Sequence, residues 1–157
     1  MKSKKLFITF AVLTAAATAF IFGNSLMDGE TSSQASGFFS GIVKNLLEFF
    51  GFEPDADTVS YAVRKTAHFS EYCLLSAVAW LALYFLKGKL RLCFASVGYS
   101  AAVAFADEFI MQRITAGRSP QITDVLIDCS GALLAASVCT LIIYLRGKHN
   151  KKRGTQT

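Results

Sequence analysis

Three short polar clusters interrupt an otherwise apolar chain of 157 residues, and they hold most of its chemistry. The first is Arg64-Lys65-Thr66-Ala67-His68-Phe69-Ser70-Glu71-Tyr72. Arg64, His68 and then Glu71 and Tyr72 recur at three- or four-residue steps, so they share one helical face. The second is Asp107-Glu108-Phe109-Ile110-Met111-Gln112-Arg113. There Glu108 and Gln112 share a face, while Asp107 sits about 100° round the helix. The third is Gly117-Arg118-Ser119-Pro120, followed by Asp124 and, one turn on, Asp128.

These residue types support three chemistries. Arg64, Lys65 and Arg118 suit a phosphate or carboxylate, with each guanidinium offering a two-pronged fork. His68, with Glu71, Asp107 or Glu108 beside it, suits general acid–base work. Asp107, Glu108 and Asp124 offer hard oxygen ligands of the kind magnesium or calcium takes. No P-loop and no HExxH pattern is present, so no cofactor is expected beyond such a cation. Ser70 and Ser119 are nearby hydroxyls without a nucleophile motif around them. The plainer reading is structural, since charged groups at helix mouths also staple bundles or snorkel to headgroups.

What must position these residues is a set of membrane spans. Apolar residues make up 53% of the chain, above the roughly 45–50% usual for soluble domains. They cluster into stretches at about 6–22, 68–86, 92–110 and 125–145. A span needs roughly 17–25 residues. The first and fourth stretches reach that unaided, and the middle two reach it by including polar ends. With no proline inside any of them, helices satisfy the backbone in lipid. The expected fold is an all-α, polytopic membrane bundle of four transmembrane helices in one domain, 1–157. The first stretch also has the basic start and the Ala17-Thr18-Ala19 site of a signal peptide, but it is long for that role and reads as an uncleaved helix.

Charge orients the bundle. Lys2, Lys4 and Lys5, then Lys87, Lys89 and Arg91, then the tail 146–157 with Arg146, Lys148, Lys151, Lys152 and Arg153 fall on one side of a four-span chain, and no acid does. The positive-inside rule makes that side cytoplasmic, with both termini in the cytoplasm. The tail then meets anionic headgroups rather than nucleic acid. Between the first two spans, Phe38, Phe39, Ile42, Val43, Leu46, Leu47 and Phe50 recur at helical spacing. They predict an amphipathic interfacial helix in the first outer loop, lying flat in the interface or packed as a lid, and ended by Gly51-Phe52-Glu53-Pro54. Cys73, Cys93, Cys129 and Cys139 lie in apolar runs and read as small hydrophobes rather than disulfides or zinc ligands.

Spans two and four begin where span three ends, so the three clusters are expected at one depth. Asp128 is deepest, about 6 Å below Asp124, and needs a partner such as Arg64, His68 or Arg118.

The order Arg-Lys-x-x-His-x-x-Glu-Tyr, then Asp-Glu-x-x-Gln, then Gly-Arg with Asp six residues on and Gly seven beyond resembles the VanZ-like family of bacterial membrane proteins. The block from Arg64 to Gly131 carries the resemblance, and Ser32-Ser33-Gln34-x-Ser36 also fits. The resemblance carries functional positions onto Arg64, Lys65, His68, Glu71, Tyr72, Asp107, Glu108, Gln112, Gly117, Arg118, Asp124 and Gly131. This chain departs from the family pattern at Asp128, where Asn is more usual, and at Ala135, where a second Gly is common. Gly131 and Ala135 still form a small-xxx-small pair. The resemblance implies a cell-envelope role and, from the founding member, reduced susceptibility to the glycopeptide teicoplanin.

The leading expectation is therefore binding of an anionic lipid-linked or wall-related ligand at an outer polar pocket. Arg64, Lys65, Tyr72, Gln112, Arg118, Asp124 and Asp128 would contact the ligand. The alternatives are an intramembrane enzyme using His68, Glu71, Asp107 and Glu108, and a structural partner subunit. Membrane lipid and a lipid-linked cell-wall intermediate are the expected partners. Oligomeric state is left open.

Overall fold

Apolar runs without proline leave the backbone one way to pair its own polar groups, and the described residues form helices and no strand. The computed structural model describes residues 2–27, 29–87, 93–117 and 120–153. Arg118 therefore lies outside the described residues. The elements are α1 (Lys2–Ser25), α2 (Gly29–Phe49), α3 (Ala56–Lys87), α4 (Ala95–Ala106) and α5 (Ile122–Arg153). A π-helical turn, Asp107–Met111, and a last turn, Gln112–Ile114, continue α4.

Helix ends follow local chemistry. Asp55 caps α3: its Oδ2 accepts the backbone N–H of Thr58 at 3.0 Å and the Thr58 hydroxyl at 3.1 Å, satisfying donors the first turn leaves over. Gly51, at φ 85°, ends α2. Phe52 N–H reaches the Leu47 carbonyl and Gly51 N–H the Glu48 carbonyl, each at 3.0 Å. That pairing is a Schellman motif, and its left-handed position is cheapest for glycine.

Three helices are long and apolar enough to cross a membrane: Ser3–Ser25, Ala56–Leu86 and Ile122–Lys148. The expected third span, 92–110, is not among them. It is α-helical over 12 residues before Asp107 and Glu108 enter the π turn, and its first residue lies outside the described ones. The other helices overrun their expected bounds. α3 has 32 residues, roughly 48 Å of helix against a hydrocarbon core of about 30 Å. Helix α2 starts nine residues before the apolar repeat: the polar stretch ahead of Phe38 has no proline, although its glycines and serines favour a helix only weakly.

Side-chain bonds set the helix directions. Ser3 Oγ donates to the Phe85 carbonyl at 2.7 Å, and Asn24 Nδ2 donates to Glu71 Oε1 at 3.0 Å, so α1 and α3 are antiparallel. The Thr18–Tyr99 hydroxyl pair and the Ser25–Asp107 bond run α4 alongside α1. Trp80 Nε1 donates to Thr140 Oγ1 at 3.1 Å, so α5 runs parallel to α3. Helix α3 touches all four others.

Two apolar clusters fill the bundle. Ile21, Tyr72, Leu75, Val103, Ala104 and Val125 form one, and Trp80, Cys93 and Ala136 the other. Gly131 lets α5 approach α3: a Cβ there would strike the Phe69 carbonyl. The partner small residue, Ala135, is buried. Cys93 is buried, and Cys73, Cys129 and Cys139 are half-buried free thiols.

Candidate functional site

The end of α1, the first half of α3, the π turn and the start of α5 meet at one end of the bundle. The basic start of α1 lies at the other end, where Ser3 meets Phe85. Two of the three sequence clusters converge fully. From the third, Asp124 and Asp128 are present, and Arg118 is outside the described residues.

The buried members are Tyr72, Asp107, Glu108, Gln112, Asp124 and Asp128, each at most 1% exposed. Lys65 pairs with Asp124, and its ammonium also sits 4.9 Å from the centre of the Tyr61 ring. His68 Nδ1 faces Asp128 Oδ1 at 3.5 Å. Of the partners anticipated for Asp128, it is His68 that stands beside it. Glu71 accepts the Asn24 amide. Arg64 is exposed and lies on the rim of a cavity.

The π turn explains why Asp107 and Glu108 are both buried. In a plain α-helix they diverge by about 100°. A π turn holds more residues per turn, so residues i and i+5 align. Here Gln112 N–H bonds to the Asp107 carbonyl. The Gln112 amide, four residues on, reaches Glu108 Oε1 at 2.5 Å as in an ordinary helix, and the π turn also brings it to 3.5 Å from Asp107 Oδ2. Glu108 Oε2 also accepts the backbone N–H of Gln121 at 3.0 Å, placing a carboxylate at the start of α5, where helix polarity favours it.

Asn24 and Ser25 belong to the site and were missed in the sequence. Ser25 Oγ donates to Asp107 Oδ2 at 2.8 Å, and the Ser25 carbonyl accepts the Thr115 hydroxyl at 3.0 Å. The available signal was two adjacent polar residues directly after the apolar run of the first span.

Two of the expected cation ligands, Glu108 and Asp124, come together with His68. His68, Glu108 and Asp124 each present a donor atom, all within 4.8 Å of one another. Asp107 is instead turned toward Ser25 and Gln112.

A cavity of about 240 Å³ opens between α1, α2 and α3. Asn24, Ser25, Arg64, His68 and Glu71 give it a polar wall, and Met27, Phe39, Val63 and Ala67 an apolar one. Phe39, Val63 and Ala67 also line a mainly apolar groove of about 630 Å³ between α2 and α3, together with Val43, Leu47, Val59 and Ala62. The two spaces thus share a wall. Helix α2 leaves Phe38, Ile42, Leu46 and Phe49 exposed, so it covers the groove with one side and turns a second apolar surface outward.

Among the comparisons with known proteins, no curated protein and no solved structure matches the chain. The VanZ/LLP1 family model matches residues 10–144. That interval takes in all three polar clusters as well as Asn24 and Ser25, and the chain belongs to the VanZ/LLP1 family.

Proposed function

We propose that this chain is a four-span protein of the bacterial cytoplasmic membrane, with both termini inside. At the outer end of its bundle it binds an anionic, lipid-linked or wall-related ligand, and so alters susceptibility to glycopeptides such as teicoplanin. The fourth crossing is α4 with its π turn, which runs antiparallel to α3 from Cys93 near Trp80 to Glu108 near His68. The orientation rests on the basic residues at both termini and after α3.

One observation carries the ligand class: a cavity with one polar wall lies against a mainly apolar groove, the two sharing Phe39, Val63 and Ala67. A phosphorylated lipid has the same two-part character. Its headgroup fits beside Arg64, Asn24 and His68, and its chain fits along the groove under α2. Lys65, Tyr72, Gln112, Asp124 and Asp128 form the wall behind the headgroup. Arg118 belongs with Arg64 as an anion contact on the sequence pattern alone.

Ala67→Trp tests this by filling the junction from an exposed position. Mass spectrometry of the purified protein should find an anionic lipid on the wild type and little on the variant. Cells making the variant should regain teicoplanin sensitivity. Equal lipid content in both proteins refutes the reading.

A second reading follows from His68 standing 3.5 Å from Asp128, the arrangement of a base oriented by a carboxylate. The protein would then turn the ligand over, with Glu71, Asp107 and Glu108 as the other proton-handling groups. Product formation from extracted envelope lipids by the wild type, lost in His68→Ala, separates catalysis from binding.

A further inference from the structure

Carboxyl groups outnumber cations behind the cavity. Glu71, Asp107, Glu108, Asp124 and Asp128 converge there, with Lys65 and His68 as the cationic side chains among the described residues that pair with them. Ionised groups at membrane depth need partners. Acidic crowding alone does not define a site, but a second feature accompanies it. Asp128 is fully buried 3.5 Å from His68 Nδ1, and neither of its oxygens nor that nitrogen has a hydrogen-bond partner among the described residues. The buried Tyr72 hydroxyl is likewise unpartnered.

We propose that His68, Glu108 and Asp124 hold a divalent cation of the zinc or manganese class, and that this ion draws an anionic headgroup into the cavity. The second half of the proposal rests on the lipid reading above; the first half stands on the donor set. One imidazole with two carboxylates is a nitrogen–oxygen set, which suits zinc or manganese better than magnesium or calcium. Donors around a tetrahedral ion sit about 3.4 Å apart. The three donors already lie within 4.8 Å of one another, so side-chain rotation of roughly an ångström closes the site.

Asp128 then has a role. With Nδ1 of His68 turned to Asp128, Nε2 is the nitrogen left for the ion, and the Nδ1 proton goes to the Asp128 carboxylate. That is the carboxylate–histidine–metal arrangement that fixes an imidazole ligand. Asp124 can serve both Lys65 and the ion because a carboxylate has two oxygens. The side of the ion away from the three ligands remains for a phosphate oxygen.

The test uses tag-free full-length protein in detergent micelles, titrated calorimetrically with zinc, manganese or magnesium chloride. The wild type should bind one zinc per chain, and magnesium much more weakly. Glu108→Gln and Asp124→Asn should each lower zinc affinity at least tenfold. Glu48→Gln, on the outer face of α2, and His149→Ala, in the tail, should leave it unchanged. If either ligand variant fails to fold by circular dichroism, cobalt loading of the wild type decides: imidazole and carboxylate ligation gives visible absorption bands, and their absence overturns the site. No zinc uptake by the wild type, or full uptake by both folded variants, also overturns it. Lipid content is then measured before and after chelation. Zinc binding with unchanged lipid content after chelation overturns the ion's part in ligand capture. Zinc binding together with equal lipid on wild type and Ala67→Trp refutes the lipid reading and leaves the metal site standing. Loss of lipid from Ala67→Trp without zinc uptake by the wild type does the reverse.

Discussion

Glu108 at the end of the third apolar run accepts the backbone N–H of Gln121 at the start of the fourth, at 3.0 Å. One carboxylate therefore joins two helix ends across the segment that contains Gly117 and Pro120. The same carboxylate takes the Gln112 amide, so each oxygen accepts one bond within the protein and keeps a second acceptor site.

That double engagement separates two substitutions. In Glu108→Gln the side-chain oxygen can still accept the Gln121 N–H, and its new NH2 can donate to the otherwise unpartnered Gln112 Oε1 once that amide turns over, so the protein should fold and melt close to wild type. In Glu108→Ala the half-buried Gln121 N–H and the buried Gln112 amide both lose their acceptor. The buried Gln112 amide left without its acceptor costs about 1–3 kcal/mol, and the Gln121 N–H at the helix start less, so unfolding in micelles should come earlier. Equal loss of stability in the two variants would mean that the charge, not the acceptor, holds these ends together.

Helix approach gives a second prediction. Gly131→Ala places a methyl on the Phe69 carbonyl, whereas Gly98→Ala meets nothing within 4 Å. Forced overpacking costs typically ~1–3 kcal/mol, while alanine in an open helical position gains roughly 0.5–1 kcal/mol over glycine. The two variants should therefore shift the thermal midpoint in opposite directions. A harmless Gly131→Ala would show that α3 and α5 have room to part.

Much of this arrangement was legible because helical periodicity and charge are local signals. Arg64, His68 and Glu71 fall at helical steps in the sequence, and they lie on one helix beside the cavity. The Gly51 stop and the apolar setting of the cysteines were equally local. Three features were not legible. The π turn that brings Asp107 beside Gln112 has no composition signature, so a 3.6-residue period gave no contact between them. The displacement of Asp107 toward Ser25 also changed which residues could share a cation. Asn24 and Ser25 matter because of where α1 ends in space, and that depends on packing against α3 and the π turn. The polar start of α2 contains residues of weak helix propensity, which tertiary context overrides.

A pH effect is expected at the exposed start of α3. The backbone N–H of Thr58 and then its hydroxyl hold the Asp55 carboxyl below the usual carboxylate range. The folded value is lower than the unfolded one, so the stabilisation is present above the ordinary carboxylate pKa. It is lost as pH falls through the depressed folded value. An asparagine in its place would cap without titrating. The difference in thermal midpoint between wild type and Asp55→Asn should therefore be constant near neutrality and move against the wild type on acidification. Asp55→Ala should melt a few degrees lower than both at neutral pH. A difference that ignores pH would remove the carboxylate from the cap.

Arg64 tests the mouth of the cavity most directly, since it is exposed there and not packed into the bundle. Arg64→Lys keeps the charge and removes the planar fork, and Arg64→Gln removes both. A charge-assisted hydrogen bond contributes about 1.5–3 kcal/mol when well formed, and solvent at the rim places Arg64 toward the lower figure. Even that corresponds to roughly tenfold in affinity. If the guanidinium grips a phosphate with two bonds, both variants should hold less lipid than wild type, and Gln less than Lys. If it serves only as a positive charge near the headgroup, Lys should match wild type while Gln falls. Because Arg64 supports no core contact, both proteins should melt as the wild type does, so any loss of lipid is a loss of recognition. Wild-type lipid content in Arg64→Gln would take Arg64 out of the site and leave the carboxylate-lined interior, with its proposed cation, as the sole anchor for the headgroup.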